Sequence, residues 1–306
     1  MTPSYTKHFG ICDASAAIVI DDTHFLVACD EDNKLRVYNS QHPSTPVASA
    51  DISGYFAKKN AESDIEGAAL LGDTVYWITS HGTNTKGKKA KARRYFFANR
   101  LEFKNGKLRH RQVGTSCRRL LKDMKSDKRL KRYRFDKAER IPPKEQGGLN
   151  IEGLAATPAN ELLIGFRNPI PESKALLLPL MNAADVVAGE KAEWGDPITL
   201  DLGGLGIRSV DYWPENEIYL IVAGTFDSKG HYRFYRWSGK FGDAPLWIPN
   251  IDFSGLNPEA VVTYPGILDR VQILSDDGNK KRSNRRCKKL PADSKEKYFR
   301  SIWVEI

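Results

Sequence analysis

From its N-terminus the chain is a succession of short runs in which β-branched and aromatic residues alternate with polar ones. Ala14 to Ile20, His24 to Cys29, Leu35 to Asn39 and Val47 to Ile52 are the first of these runs, with Asp21-Asp22 as a turn between the first two. Runs of this length and alternation predict strands with one buried face, and the turn residues between them predict hairpins. Gly72-Asp73, Pro158-Ala159-Asn160, Pro214-Glu215-Asn216 and Pro265-Gly266 punctuate the later runs in the same way. Between Ser116 and Tyr133 the spacing changes. There Leu120, Leu121, Met124 and Leu130 sit among good helix formers and predict a short basic helix, with Ser116 as a candidate N-cap.

The runs recur in units. Asn150-Ile151-Glu152-Gly153-Leu154-Ala155 repeats Asp64-Ile65-Glu66-Gly67-Ala68-Ala69, and weaker copies begin at Ile207-Arg208-Ser209, at Asn257-Pro258-Glu259-Ala260 and near Ala14. With Ala14, Glu66, Glu152, Arg208 and Glu259 as equivalents the separations are 52, 86, 56 and 51 residues. The outlier contains a basic insertion, about residues 104–148. Repeated units of four antiparallel strands predict an all-β chain, a β-propeller of five blades with residues 1–306 as one domain and a helical insertion between blades 2 and 3. A β-sandwich explains the repeat poorly. The last unit has only the strands Glu259 to Tyr264, Val271 to Ser275 and Tyr298 to Ile306, so Ser4 to Gly10 is expected to supply its outer strand and close the ring.

Composition narrows the class. A hydrophobic fraction of 41%, with 6 Trp and 12 Tyr, is enough for a sizeable core and excludes wholesale disorder. Cys12, Cys29, Cys117 and Cys287 are far apart, with no C-x-x-C pair, and read as reduced thiols. No basic segment leads into a long apolar run, and no stretch is long and apolar enough to span a membrane, so a soluble, cytoplasmic protein with no membrane partner is expected.

Charge is segmented. From Lys86 to Lys144 there are 23 Lys and Arg against 5 Asp and Glu, and from Lys280 to Arg300 there are 10 against 2, which leaves the rest of the chain at −17. Such separation fits a polyanionic or acidic partner, while the simpler reading is a pair of solvated loops. Lys88, Lys89, Arg93, Arg94, Arg167, Arg208, Lys280, Lys281, Arg285 and Arg286 are the candidate anion-binding residues.

In a propeller the first strand of each blade lines the axis, so the loops before these strands and those joining second strands to third should converge on one mouth. Asp64, Glu66, Glu152 and Glu259 belong to the first set; Asp30, Asp32, His81, Arg167, Asn168, Asp227, Asp276 and Asp277 belong to the second. Oxygen ligands gathered this way suit Ca²⁺ or Mg²⁺. The alternative is that these carboxylates lock the ring through internal hydrogen bonds and salt bridges with Arg167 and Arg208. His81 is a candidate proton shuttle or a loop cap. Gly82 to Lys89 nearly spells a phosphate-binding loop, but Lys89 stands where Ser or Thr must ligate Mg²⁺.

Inner strands opening on Ser63-Asp64-Ile65-Glu66-Gly67-Ala68 and Asn150-Ile151-Glu152-Gly153-Leu154-Ala155, with Trp77 to Gly82 and Ser275-Asp276-Asp277-Gly278, resemble an uncharacterised bacterial family, domain of unknown function 3616. The motifs are also similar to those of phytase-like esterase and SdiA-regulated propellers. The resemblance implies the propeller fold over nearly the whole chain and, through the phytase-like relatives, a cation-laden channel acting on phosphate esters. Two functions follow. One is a binding module with an acidic mouth and a basic rim, for nucleic acid, a phosphorylated ligand or an acidic protein. The other is a metal-dependent hydrolase of an anionic substrate, with Glu66, His81, Glu152 and Glu259 as catalytic candidates.

Overall fold

In the computed structural model, which describes residues 5–29, 31–59, 61–227 and 229–306, the alternating runs pair into five four-stranded antiparallel sheets. Blade 1 is Ala16–Asp21, His24–Ala28, Lys34–Asn39 and Ala48–Asp51; blade 2 is Ile65–Leu71, Thr74–Thr79, Phe96–Lys104 and Lys107–Cys117. Blade 3 is Asn150–Ala156, Leu162–Asn168, Ala175–Leu180 and Ile198–Leu200, and blade 4 is Gly206–Trp213, Ile218–Gly224, Tyr232–Trp237 and Leu246–Ile248. Blade 5 joins Pro258–Val262, Arg270–Ser275 and Tyr298–Glu305 to Thr6–Phe9, with Thr6 opposite Ser301 and Phe9 opposite Tyr298. The two ends of the chain therefore close the ring as expected; Ser4 lies outside the described residues. His8 seals the seam: its buried ring stacks on Phe299 at 4.8 Å and Nε2 lies 2.9 Å from Ser301 Oγ.

The core is divided between neighbouring blades. Leu26, Val37, Trp77 and Phe97 pack between blades 1 and 2; Leu163, Leu177, Ile207 and Ile221 between blades 3 and 4; Val222, Phe234, Val261 and Ile273 between blades 4 and 5. Each patch exists because alternate residues of a strand face the next blade.

The repeat has a structural cause. In blades 2, 3, 4 and 5 the inner strand carries a register shift that leaves one residue unpaired, and those residues are Glu66, Glu152, Arg208 and Glu259. A bulge turns the extra side chain out of the ladder. The glycine after two of them gives room for the next blade: a Cβ on Gly67 would meet Leu154 Cβ at 2.9 Å, and one on Gly153 would meet Val210 Cγ1 at 2.9 Å.

The insertion begins later than the charge run suggests. Phe96–Lys104 and Lys107–Cys117 form a long hairpin of blade 2, so the helical part starts beyond it, with a helix Leu120–Ser126, a 3₁₀ turn Lys128–Tyr133 and a short helix Phe135–Ala138. Ser116 is not the N-cap; it lies in the preceding strand and accepts from Gln112 Nε2 at 3.0 Å, and Arg119 occupies the cap without a side-chain bond. Leu120, Met124, Leu130 and Phe135 fasten the insertion to blade 3, where Phe135 stacks on Phe166 at 5.3 Å.

Candidate functional site

The bulges bring Glu66, Glu152 and Glu259 to one narrow axial cavity. Arg167 and Arg208 meet two of them, Glu152 and Glu259. Arg167, 4% exposed, donates from Nη1 to Glu152 Oε1 at 2.7 Å, from Nε to the Thr225 carbonyl at 2.9 Å and from Nη2 to the Asp227 carbonyl at 2.7 Å. Arg208, 2% exposed, donates from Nε to the Pro258 carbonyl at 3.0 Å and from Nη2 to Glu259, and Nη1 lies 3.8 Å from Glu152 Oε2. Burial opposes ionisation of Glu152, but Arg167 and then Arg208 overcome it and hold the carboxyl below its usual value. Burial, and then Asp276, push Glu259 well above its usual value despite the Arg208 contact.

Above this layer opens a cavity of about 290 Å³ between blades 3, 4 and 5. Arg167, Arg208, Glu259 and Asp276 form its floor, Tyr232, Asn257 and Asn279 line it, and Lys144 and Lys280 stand at its rim. Asn257 ties the walls together, accepting from the Tyr232 hydroxyl and donating from Nδ2 to Glu259 and to Asp276, both at 3.2 Å. Behind Asp276 lies buried Asp13, whose carboxyl is pushed up to about 8 by burial, by Asp276 and by Glu31. Burial raises the pKa of Asp276 as well. Asp277 next to it is neutralised by Arg300 and Arg282, each at 2.6 Å. Burial and the neighbouring Arg300 lower the pKa of Lys280.

The other candidates are spread more widely. Asp64 accepts from Ser80 and lies 3.3 Å from Arg93 Nη1; burial raises its pKa against the pull of Arg93. Arg93 also pairs with Glu62 at 2.5 Å, and buried Arg94 with Glu139 at 3.0 Å, so both serve the scaffold. Asp32 pairs with Arg36 at 2.6 Å. His81 is fully buried and its Nδ1 lies 2.8 Å from the Thr79 carbonyl, the contact of a loop cap, while burial lowers its pKa to about 4. Asn168 Nδ2 donates to the Pro143 and Glu145 carbonyls at 3.0 and 2.6 Å, binding the insertion to blade 3. Lys88, Lys89, Lys281, Arg285 and Arg286 are exposed, the last three on a small hairpin of Lys281–Arg282 and Arg285–Arg286. Asp30 lies outside the described residues.

Two of the four candidate cation ligands already hold an arginine: one guanidinium lies against Glu152 and another against Glu259, so a dication at these two carboxylates would sit beside two fixed positive charges. Among the described residues no group of three or more His, Cys, Asp or Glu is placed to hold a metal ion.

One expectation is overturned. Cys12 and Cys287 form a disulfide with a Cα–Cα separation of 5.9 Å across 275 residues of sequence, whereas Cys29 and Cys117 are free and buried. Closing the ring brings the start of blade 1 beside the basic hairpin of blade 5, which linear spacing cannot show. The disulfide anchors that hairpin next to Asp13, and Lys288 Nζ adds an ion pair with Glu31 at 2.6 Å. Asp13, Lys144, Tyr232, Asn257 and Asn279 were not singled out by sequence. Only Asn257, two residues before Glu259 as Asn150 is before Glu152, carried a usable signal.

No helix among the described residues is long and apolar enough to cross a membrane. The family described as "Protein of unknown function (DUF3616)" matches the chain at residues 13–111 and 102–249. No curated protein matches the sequence. Among solved structures, Myxococcus xanthus glutaminyl cyclase is similar at 11% identity and a TM-score of 0.48, over 99% of this chain and 95% of that one. The PQQ-bound aldose sugar dehydrogenase of Streptomyces coelicolor is similar at 10% identity and a TM-score of 0.44, over 99% and 100%. The exo-β-1,3-galactanase of Phanerochaete chrysosporium shows 7% identity and a TM-score of 0.48, over 99% and 63%. Likeness at this level carries no argument about activity.

Proposed function

The chain belongs to the DUF3616 family, described as proteins of unknown function, and we propose that it is a binding propeller whose mouth receives an anionic group of a polyanionic or phosphorylated ligand. The observation that carries this reading is the meeting of Lys144 and Lys280, one from each basic segment, at the rim of a single cavity. Neither lysine has a carboxylate within ion-pair distance among the described residues. The acids nearest them are largely compensated. Asp13 is pushed up to about 8, Glu259 pairs with Arg208, and Glu152 pairs with Arg167 and lies beside Arg208. A phosphate or carboxylate between the lysines gains charge-assisted hydrogen bonds and relieves the repulsion of Lys280 by Arg300. Exposed Lys88, Lys89, Lys281, Arg285 and Arg286 extend the attraction to a longer polyanion.

The metal-dependent hydrolase reading has less support, because two of the four carboxylates it requires, Glu152 and Glu259, are already paired with Arg167 and Arg208. The Cys12–Cys287 disulfide favours an oxidising compartment over the reducing cytosol. The reading is tested by titrating the protein with a heparin oligosaccharide at several salt concentrations. Affinity that falls steeply as salt rises is expected, since each neutralised anionic group releases counterions. Binding that ignores salt overturns the proposal.

A further inference from the structure

A second, larger cavity of about 420 Å³ lies on the other side of the 225–227 loop, between the helical insertion and blade 3. Its apolar walls come from Pro169, Ile170 and Phe226, and its basic edge from Arg132, Arg134 and Lys137. Some cations of the insertion have acid partners: Arg119 holds Asp123 at 3.2 Å, Lys125 holds Glu139 at 2.5 Å and Arg129 holds Asp127 at 2.8 Å. Among the described residues Arg132, Arg134 and Lys137 have none. Arg132 is nevertheless held in place, with Nη2 2.5 Å from the Tyr133 hydroxyl and its guanidinium 4.8 Å from the Tyr133 ring.

The apolar wall is preformed. Buried Arg167 donates to the carbonyls of Thr225 and Asp227, the two neighbours of Phe226, so the ring is carried on a loop fixed from beneath. The opposite wall is fixed by the packing of Phe135 on Phe166 and by the bonds of Asn168 to the Pro143 and Glu145 carbonyls. Cavities that bind small molecules are typically a few hundred Å³ and combine apolar walls with a few placed polar groups. A phenyl ring and prolines offer flat faces to a planar ring, while unpaired guanidinium and ammonium groups call for an anion.

We propose that this cleft is a second ligand site, for a small molecule made of a planar aromatic or heteroaromatic ring that bears a phosphate or carboxylate. It goes beyond the mouth and does not depend on it, since the two cavities share no lining residue.

Calorimetric titration with AMP, adenosine and ribose 5-phosphate separates the two halves of such a ligand. AMP binds at least about tenfold more tightly than either half, the factor that about 1.4 kcal/mol of added contact supplies. A variant combining Arg134→Asn with Lys137→Glu, both exposed positions, loses AMP binding at least about tenfold. Asn is chosen because residue 134 has φ 53°, which Asn tolerates. Phe226→Ala brings AMP down to the affinity of ribose 5-phosphate, while Lys144→Glu with Lys280→Glu removes the phosphate binding at the mouth that AMP and ribose 5-phosphate share and keeps the preference for AMP over ribose 5-phosphate. AMP binding no better than ribose 5-phosphate, or binding lost only in the Lys144/Lys280 variant, overturns the proposal. Circular dichroism of each variant confirms that folding is kept, and the Phe226 variant stands as a separate test if the charge variant unfolds.

Discussion

Gly278 presses against Asp13 so closely that a Cβ built on the glycine would fall 1.6 Å from Asp13 Oδ1. Gly278 N–H also donates to Asp276 Oδ1 at 2.7 Å, so the residue that makes room for one member of the acid pair holds the other. Gly278→Ala must displace Asp13 or the backbone. It is expected to cost about 1–3 kcal/mol, the usual penalty of overpacking, read as a lower melting temperature. An unchanged melt would show that Asp13 has another place to go.

The acid pair also sets a pH dependence. Asp13 has a folded pKa of about 8 against an ordinary 3.8, and Asp211 is raised to about 7 by burial, so between those values the native state holds protons that the unfolded state has lost. Stability then falls as pH rises, by up to about 1.4 kcal/mol per pH unit for each group. His8 and His81, lowered to about 3 and about 4 by burial, act oppositely but only up to their ordinary 6.5. The net fall is therefore expected from pH 6.5 to 8. Asp13→Asn, which keeps a donor for Asp276, should flatten it in urea melts; a slope as steep as that of the wild type would place the proton elsewhere.

Ring closure makes a separate prediction. Deleting residues 1–9 exposes the Tyr298–Glu305 edge and removes His8 from its stack on Phe299. A loss of several kcal/mol is expected, lowering the melting temperature by about 10 °C or more. An equal melt would mean that the last blade is stable with three strands.

The disulfide links the same seam to the mouth. Cys12→Ser with Cys287→Ser should cost about 2–5 kcal/mol and open the Lys281–Lys289 hairpin to trypsin. If neither the melt nor the cleavage pattern responds to the substitutions or to dithiothreitol, the bridge does not restrain the hairpin.

The blades were legible because their inner strands repeat a bulged residue, as at Glu66, Glu152, Arg208 and Glu259, and a bulge at a fixed depth keeps its side chain near the axis. The start of the insertion was misread because Lys107, Arg109 and Arg111 occupy the exposed face of an outer strand, where period-two alternation pairs charges with partly buried neighbours and resembles a basic run. The roles of Arg167 and Arg208 were half legible. Their charge was visible, but carbonyl partners such as Thr225 and Pro258 belong to neighbouring blades and appear only when the ring closes. The Cys12–Cys287 bridge was hidden for the same reason.

The most direct measurement compares mouth and rim under one condition. A heparin oligosaccharide is titrated at fixed low salt into the wild type, into Lys144→Ala with Lys280→Ala, and into Lys88→Ala with Lys89→Ala. If the mouth receives the anionic group, the Lys144/Lys280 variant loses at least about tenfold in affinity, because each charge-assisted bond contributes about 1.5–3 kcal/mol, while the Lys88/Lys89 variant loses only a small factor. Equal losses in the two variants, or a loss confined to Lys88 and Lys89, would contradict binding at the mouth.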